Sequence, residues 1–125
     1  KKGVDMIKNY ALVIEDDEDL SGIFSKALQT AGFEVESILD GKTAESRLTE
    51  IIPSVVVLDM HLPHVAGATL LKQIKENDAF KNTRIIITTA DNVQAEIYRE
   101  QATIVLIKPI LFSQLRDISA RLITP

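Results

Sequence analysis

VVVLD at residues 55–59 is an apolar run of strand-forming residues that ends in a carboxylate, Asp59. A short apolar run bounded by turn residues is typical of a strand buried on both faces of a parallel sheet covered by helices. Because ligands of such sheets bind outside the carboxyl ends of the strands, Asp59 is a candidate functional group. A turn or a helix cap would also account for a lone aspartate, so the rest of the chain has to decide.

The composition sets the class of protein. A chain of 125 residues with 46% hydrophobic and 26% charged residues predicts one folded domain. The formal net charge of -4 provides no basic surface, so we expect no direct nucleic-acid binding by this segment. Without cysteine the chain has no disulfide and no thiolate metal site, and no apolar stretch approaches the roughly 20 residues that cross a bilayer. No charged-then-apolar leader precedes the first predicted strand, so we expect a cytoplasmic protein with no membrane partner.

Other predicted strands also end in polar groups. Tyr10–Ile14 runs into the acidic stretch Glu15–Asp19, Arg84–Thr88 into Thr89-Ala90-Asp91, and Ile104–Ile107 into Lys108-Pro109. Some of the acids, Asp17–Asp19 in particular, suit the start of a helix, where negative charge complements the helix dipole. Glu15 and Asp16 lie at the strand edge, where they would face the same crevice as Asp59.

Strands alternate with segments of helical periodicity five times. Residues 18–31 form the clearest amphipathic segment, with Gly32 as a C-terminal cap, and Val93–Gln101 forms one of moderate quality. Phe33–Leu39 reads as a weaker edge strand. This alternation predicts an α/β fold with a parallel sheet, helices on both faces and all carboxyl ends at one edge. We predict that residues 1–9 form a polar lead-in and that residues 10–125 form the domain.

Two local patterns imitate binding motifs. Gly41-Lys42-Thr43 resembles the tail of a phosphate-binding P-loop, but the position that requires the first glycine is Glu36, so we dismiss it. His61 and His64 suggest zinc, but the sequence has no cysteine and no further histidine to complete a closed site.

The strand-end residues have a joint chemical meaning. Clustered carboxylates without sulfur suit a hard cation such as Mg²⁺, which is held by one or two carboxylates with waters and phosphate oxygens. An aspartate can act as a nucleophile and form an aspartyl phosphate. Lys108 and Thr89 would supply the cation and the hydroxyl donor that a transferring phosphoryl group needs. The set therefore predicts phosphoryl chemistry.

The chain resembles the receiver domain of two-component response regulators, in the chemotaxis-regulator-like superfamily. The matching pieces are LVIED at 12–16, VLDMHLP at 57–63, ITTA at 87–90 and LIKP at 106–109, in the family's order and at its intervals. The resemblance covers residues 10–122 and makes residues 10–125 a receiver (response regulatory) domain. It implies a flavodoxin-like (βα)5 doubly wound sheet of five parallel strands in the order 2-1-3-4-5.

The resemblance also implies roles for the acidic residues. Asp59 would be the phosphoacceptor, taking its phosphoryl group from a sensor histidine kinase or a phosphotransfer protein. Asp16 and Asp59 would hold Mg²⁺ through carboxylates, Glu15 would help through water, and His61 would contribute its backbone carbonyl. The protein would be a switch that catalyses only its own phosphorylation and dephosphorylation, and not a turnover enzyme.

The remaining roles concern phosphate contacts and tuning. Thr89 would hydrogen-bond a phosphoryl oxygen, Lys108 would pair with the phosphate, and the bond before Pro109 resembles one that is usually cis in the family. His61 and Asp91, each two places beyond a functional residue, flank the path of the attacking water in the family. We therefore predict that they tune the lifetime of the phosphorylated state.

One departure from the family pattern concerns the output. The family commonly has an aromatic residue three places before the lysine, where this chain has Val105, and a Gly-Ala-Asp-like turn where this chain has Gln101-Ala102-Thr103. We hypothesise that Val105 leaves the output surface less tightly linked to Asp59, or linked by a different route. That surface comprises the fourth helix, the fifth strand and the fifth helix.

Partners and alternatives follow from the same resemblance. A downstream effector domain or protein would read the switch. A partner or dimer face would use the side chains Tyr98, Arg99, Arg116, Asp117 and Arg121, unless these form an ordinary solvated helix surface. The competing functions are a receiver-like interaction module that is not phosphorylated and a phosphatase with an aspartate nucleophile. The phosphatase is disfavoured because such enzymes typically carry an Asp-x-Asp motif on the first strand of the sheet. The first strand of this chain lacks that motif.

Overall fold

The computed structural model describes residues 4–125, which form five strands and five α-helices in strict alternation. Two short 3₁₀ turns, Asp78–Phe80 and Arg99–Gln101, follow the third and fourth helices. The elements are β1 Met6–Ile14, α1 Glu18–Ala31, β2 Glu34–Ile38, α2 Gly41–Arg47, β3 Ile52–Asp59, α3 Gly67–Lys75, β4 Arg84–Thr89, α4 Asn92–Tyr98, β5 Ile104–Ile107 and α5 Phe112–Ala120.

All strand pairs are parallel, and the order across the sheet is β2-β1-β3-β4-β5. This confirms the doubly wound topology that the resemblance implied. β3 lies at the centre and every one of its residues is buried, as its unbroken apolar run predicted. The register places Leu58 beside Ile14 and Asp59 beside Thr88, so the carboxyl ends of β1, β3 and β4 are level with one another.

Two hydrophobic cores cover the two faces of the sheet. β1 directs Leu12 and Ile14 to one core and Ala11 and Val13 to the other, because successive side chains on a strand point to opposite faces. Apolar residues of α2, α3 and α4 close the first core, and those of α1 and α5 close the second. No helix within residues 4–125 is both long and apolar enough to cross a bilayer.

The prediction of a polar lead-in is wrong for Met6–Asn9, which form the first part of β1. Met6 pairs with Ile52, and a register irregularity follows before the regular pairing resumes at Ala11. Asn9 has a φ of 52° and exchanges two hydrogen bonds with the backbone of Thr124, both 2.9 Å. The polar side chains at this bulge conceal the strand in the sequence. Lys1–Gly3 lie outside the described residues.

Helix ends follow the capping residues. Asp17 caps α1 by accepting a hydrogen bond from the Leu20 N–H at 3.0 Å, and Gly32 ends the helix with a φ of 115°, which confirms both assignments. Gly41 opens α2 against another backbone, since a Cβ there would overlap the carbonyl oxygen of Val65. The Gly-Lys-Thr triplet is therefore a packing feature, in agreement with its dismissal as a P-loop.

The fourth helix is shorter than predicted. α4 ends at Tyr98, and Arg99–Gln101 continue as a 3₁₀ turn. Tyr98, which the sequence assigns to a candidate partner face of exposed side chains, is half-buried against the core that contains Val105. The helix instead exposes Val93 and Ile97, which are 70% and 63% accessible.

Candidate functional site

Polar side chains gather around Lys108 at the carboxyl edge of the sheet. Its ammonium nitrogen, Nζ, lies 2.9 Å from Oε1 of Glu15 and 3.4 Å from Oδ1 of Asp59. Carboxylate oxygens of Glu15, Asp16 and Asp59 lie within 4.8 Å of one another. Residues that are 93 and 49 positions apart from Lys108 in the chain thus form one acidic pocket around one cation.

Backbone groups fix the orientation of the two buried carboxylates. Asp59 is the last residue of β3, and its Oδ1 accepts a hydrogen bond from the His61 N–H at 3.2 Å. Glu15 follows β1 directly, and its Oε2 accepts from the Asp17 N–H at 3.1 Å. Glu15 and Asp59 are only 1% and 2% exposed, whereas Asp16 is exposed. The pocket therefore has two sheltered acids and one acid at its mouth.

Burial and charge pull the proton equilibria in opposite directions. Burial raises the pKa of Glu15 and of Asp59 above their ordinary values, although Lys108 favours their charged forms. Burial opposes the charged form of Lys108, but its contacts with Glu15 and Asp59 outweigh this and raise its pKa. The negative charge in this pocket exceeds what a single lysine neutralises, which favours a further cation.

Thr89 ends β4 with its hydroxyl engaged by protein groups. Its Oγ1 donates a hydrogen bond to Oε1 of Gln94 at 2.7 Å and accepts one from the Asp91 N–H at 3.1 Å. The Lys108 N–H donates to the Thr89 carbonyl at 2.7 Å, which ties the β4 and β5 ends together. Gln94 is not among the predicted site residues, because a single glutamine in a helix carries no recognisable pattern.

Gly67 is a second residue that no sequence pattern singled out. It packs against the backbone at the end of β3. A Cβ on Gly67 would lie 2.5 Å from the carbonyl oxygen of Asp59 and 2.7 Å from Cα of Met60. The start of α3 therefore packs directly on the backbone that presents the carboxylate. The signal that could have indicated it is a glycine at the first position of a helix, soon after a functional strand end.

Gly67→Ala is expected to lower the free energy of unfolding by about 2–3 kcal/mol, because the backbone atoms of Asp59 and Met60 cannot move aside cheaply. Urea denaturation measures the change. The matched control is Gly22→Ala in α1, where a Cβ would meet nothing within 4 Å. There the substitution should stabilise the protein by about 0.5–1 kcal/mol through helix propensity. Equal effects at the two positions would contradict the close packing at Gly67.

Comparison with known proteins assigns the family. A sequence model described as the response regulator receiver domain matches residues 11–120, nearly the whole chain. The chain belongs to this family of receiver domains. It is thus the receiver domain of a two-component response regulator. Receiver domains bind Mg²⁺ at their acidic pocket and interact with histidine kinases or phosphotransfer proteins.

Two curated relatives illustrate the range of similarity to this receiver domain. The phosphate regulon transcriptional regulatory protein PhoB of Rhizobium meliloti (strain 1021) is 38% identical over 91 residues, 73% of this chain and 40% of that protein. The two-component response regulator ORR5 of Oryza sativa subsp. japonica is 28% identical over 118 residues, 91% of this chain and 88% of that protein. The chain spans 33–40% of the length of the first three curated relatives it matches.

Solved structures show the same fold. The chemotaxis response regulator CheY4 of Vibrio cholerae superposes with a TM-score of 0.82 at 24% identity, covering 94% of this chain and 100% of that one. A BeF3-activated DrrB receiver domain superposes with a TM-score of 0.79 at 27% identity, covering 93% and 97%. The first of these likenesses supports the fold alone.

Asp91, His61 and Pro109, the predicted modulators of this receiver domain, have different surroundings. The Asp91 side chain caps α4 by accepting from the N–H groups of Val93 and Gln94 at 2.8 and 3.2 Å. The His61 side chain is exposed, while its backbone N–H binds Asp59. The Lys108-Pro109 peptide bond is cis, as the resemblance implied.

Val105 lies on β5 beside Ile87 and is 8% exposed, so its side chain belongs to the core and not to the acidic pocket. Ile107, two residues further along β5, is 40% exposed. The position at which the resemblance implies an aromatic ring is therefore filled by a small buried aliphatic side chain.

Proposed function

We propose that this receiver domain accepts a phosphoryl group on Asp59 from the phosphohistidine of a sensor histidine kinase or phosphotransfer protein. The observation that carries the proposal is the position of Lys108, within 2.9 Å of Glu15 and 3.4 Å of Asp59 at the edge where three carboxylates meet. A sheltered carboxylate beside a fixed cation and further acids is suited to phosphoryl transfer.

The acidic residues fit Mg²⁺. Their donor set consists of carboxylate oxygens without sulfur, which is the chemistry that hard cations prefer. Asp16 and Asp59 would bind the ion through carboxylates, Glu15 through water and His61 through its backbone carbonyl. A bound Mg²⁺ supplies positive charge to the oxygens of the transferring phosphoryl group.

The protein side chains divide the remaining work. The Asp59 carboxylate oxygen forms a bond to phosphorus as the bond from phosphorus to the donor imidazole nitrogen breaks. The Lys108 ammonium pairs with the added negative charge of the phosphoryl group, and the Thr89 hydroxyl rotates to donate a hydrogen bond to a phosphoryl oxygen. Hydrolysis later restores the Asp59 carboxylate and releases phosphate. Such a domain promotes its own modification and works as a switch.

His61 and Asp91 would set the lifetime of the phosphorylated state. The exposed His61 side chain stands two residues beyond Asp59, where it can admit or exclude water. Asp91 also caps α4, so its replacement would alter the helix as well. His61→Ala is the cleaner variant, and an unchanged dephosphorylation rate would remove its proposed role.

The wider context is part of the same proposal. We place the domain in the cytoplasm, upstream of an effector domain or protein, without direct nucleic-acid contact by this segment. The surface of α4, β5 and α5 is the candidate partner or dimer face. Arg99 and Arg116 on it already pair with Glu96 and Asp117.

Intact-mass measurement after incubation with acetyl phosphate and Mg²⁺ tests the proposal. Wild type should gain one phosphoryl group, Asp59→Asn should gain none, and Asp117→Asn on α5 should behave like wild type. A wild type that stays unmodified would support the interaction module. Steady phosphate release from many esters would support the aspartate-nucleophile phosphatase.

A further inference from the structure

The Thr89 hydroxyl is held by a helix residue, Gln94. The Gln94 side chain is half-buried at the start of α4, and its Oε1 accepts the Thr89 hydroxyl proton at 2.7 Å. The Asp91 N–H donates to the same hydroxyl oxygen at 3.1 Å, and Asp91 in turn caps the helix. These hydrogen bonds join the end of β4 to the first turn of α4.

A hydroxyl has one proton to donate. While Thr89 donates to Gln94, it cannot donate to a phosphoryl oxygen on Asp59. The side-chain amide oxygen Oε1 of Gln94 and a phosphoryl oxygen therefore compete for the same proton. The hydrogen bond from Thr89 to Gln94 must therefore break, with loss of its free energy, before Thr89 can donate to a phosphoryl oxygen.

The residues around the hydrogen bond between Thr89 and Gln94 connect it to the exposed face of α4. Val105, buried beside Ile87, has no polar side-chain atom with which to take part. Gln94 lies between Val93, which is 70% exposed, and Ala95, which is fully buried in the core. Loss of the Gln94 contact with Thr89 would loosen the link between β4 and the first turn of a helix whose outer face bears Val93 and Ile97.

We propose that Gln94 is a positioning residue that withholds the Thr89 hydroxyl in the unphosphorylated state, and that its release carries phosphorylation of Asp59 into α4. This inference rests on the proposed function, because it assumes that Asp59 is the phosphoacceptor. It offers one form of the different route to the output surface that the hypothesis about Val105 leaves open.

Beryllofluoride binding in the presence of Mg²⁺ tests the inference, since this anion imitates a phosphoryl group on a carboxylate. Gln94→Met keeps the length of the side chain and removes the acceptor. It should bind beryllofluoride about 2- to 10-fold more tightly than wild type, the range expected for loss of one competing hydrogen bond. Gln114→Met on the exposed face of α5 is the matched control and should leave the affinity unchanged. Mg²⁺ affinity should be the same in all three proteins.

Two further measurements separate this role from a merely structural one. In a Thr89→Val background, Gln94→Met should no longer change beryllofluoride affinity, because the hydroxyl through which it acts is gone. In free Gln94→Met, amide resonances of Asn92–Tyr98 should lie partway along the line from free to beryllofluoride-bound wild type.

The outcomes are distinct. Unchanged or weaker binding by Gln94→Met overturns the inference while leaving the proposed function intact, and so does an effect that persists without the Thr89 hydroxyl. Failure of wild type itself to bind beryllofluoride with Mg²⁺ overturns the proposed function, and the inference with it.

Discussion

Lys108→Met is expected to lower the free energy of unfolding by about 2–3 kcal/mol at neutral pH without Mg²⁺. The substitution removes the one cation that contacts Glu15 and Asp59 among the described residues and leaves both acids sheltered from water. Removing one partner of a fully buried ion pair costs about 3–5 kcal/mol. The loss expected here, about 2–3 kcal/mol, is smaller than for a fully buried pair because the Lys108 side chain is 20% exposed. Thermal or urea denaturation measures the loss.

The control for Lys108 is Lys72→Met, whose ion pair with Glu76 spans 3.9 Å on an exposed helix face. Its effect should stay within about 0.5 kcal/mol. The loss in Lys108→Met should shrink as the pH falls, because protonation of the acids removes the unpaired charge. A variant as stable as wild type at neutral pH would contradict the ion cluster.

Much of the fold could be predicted because local patterns agree with the final packing. The apolar run of β3 ends at Asp59 because a central strand buries every side chain until it reaches the sheet edge. Residues 18–31 were identified as a helix by their periodic stripe and Gly32, and α1 covers these residues. The strand order required family resemblance, because periodicity does not say which strands are neighbours.

The site could be assembled from the sequence for a related reason. Parallel strands present all their carboxyl ends at one edge, so polar residues directly after apolar runs meet even when they are far apart in the chain. Glu15, Asp59 and Lys108 obey this rule and are in contact. Gln94 does not follow a strand, and its bond to Thr89 depends on how α4 begins. Tertiary packing decides such contacts, and no local pattern records them.

The error at the start of β1 has the same origin. Strand pairing satisfies backbone groups whatever the side chains are, so Met6–Asn9 join the sheet although Lys8 and Asn9 are polar. The bulge before Ala11 and the hydrogen bonds of Asn9 to Thr124 involve the far end of the chain. A reading of neighbouring residues cannot find a partner that lies 115 positions away.

Asp59→Asn is expected to change stability with opposite signs in the absence and presence of Mg²⁺. Without the ion the variant should be about 1 kcal/mol more stable than wild type. The reason is that two like charges at contact distance repel each other by a few kcal/mol at an effective dielectric constant near 20. Lys108 keeps its partner Glu15 at 2.9 Å, and asparagine can still accept from the His61 N–H. With Mg²⁺ at about 100 times its dissociation constant, wild type should gain about 2.7 kcal/mol, and the variant little.

The pH dependence follows from the raised pKa of Asp59. The folded protein binds this proton more tightly than the unfolded chain, so the charged carboxylate costs stability above the folded-state pKa. The metal-free advantage of Asp59→Asn should therefore be complete above the folded-state pKa of Asp59 and vanish below the unfolded-state value of about 3.9. Asp117→Asn, on α5 beside Arg116, is the control and should show neither effect.

Melting curves recorded with EDTA and with Mg²⁺ measure the stability differences between wild type and the two variants. A variant that is less stable than wild type in EDTA would mean that Lys108 and the backbone more than compensate for the crowding of the acids.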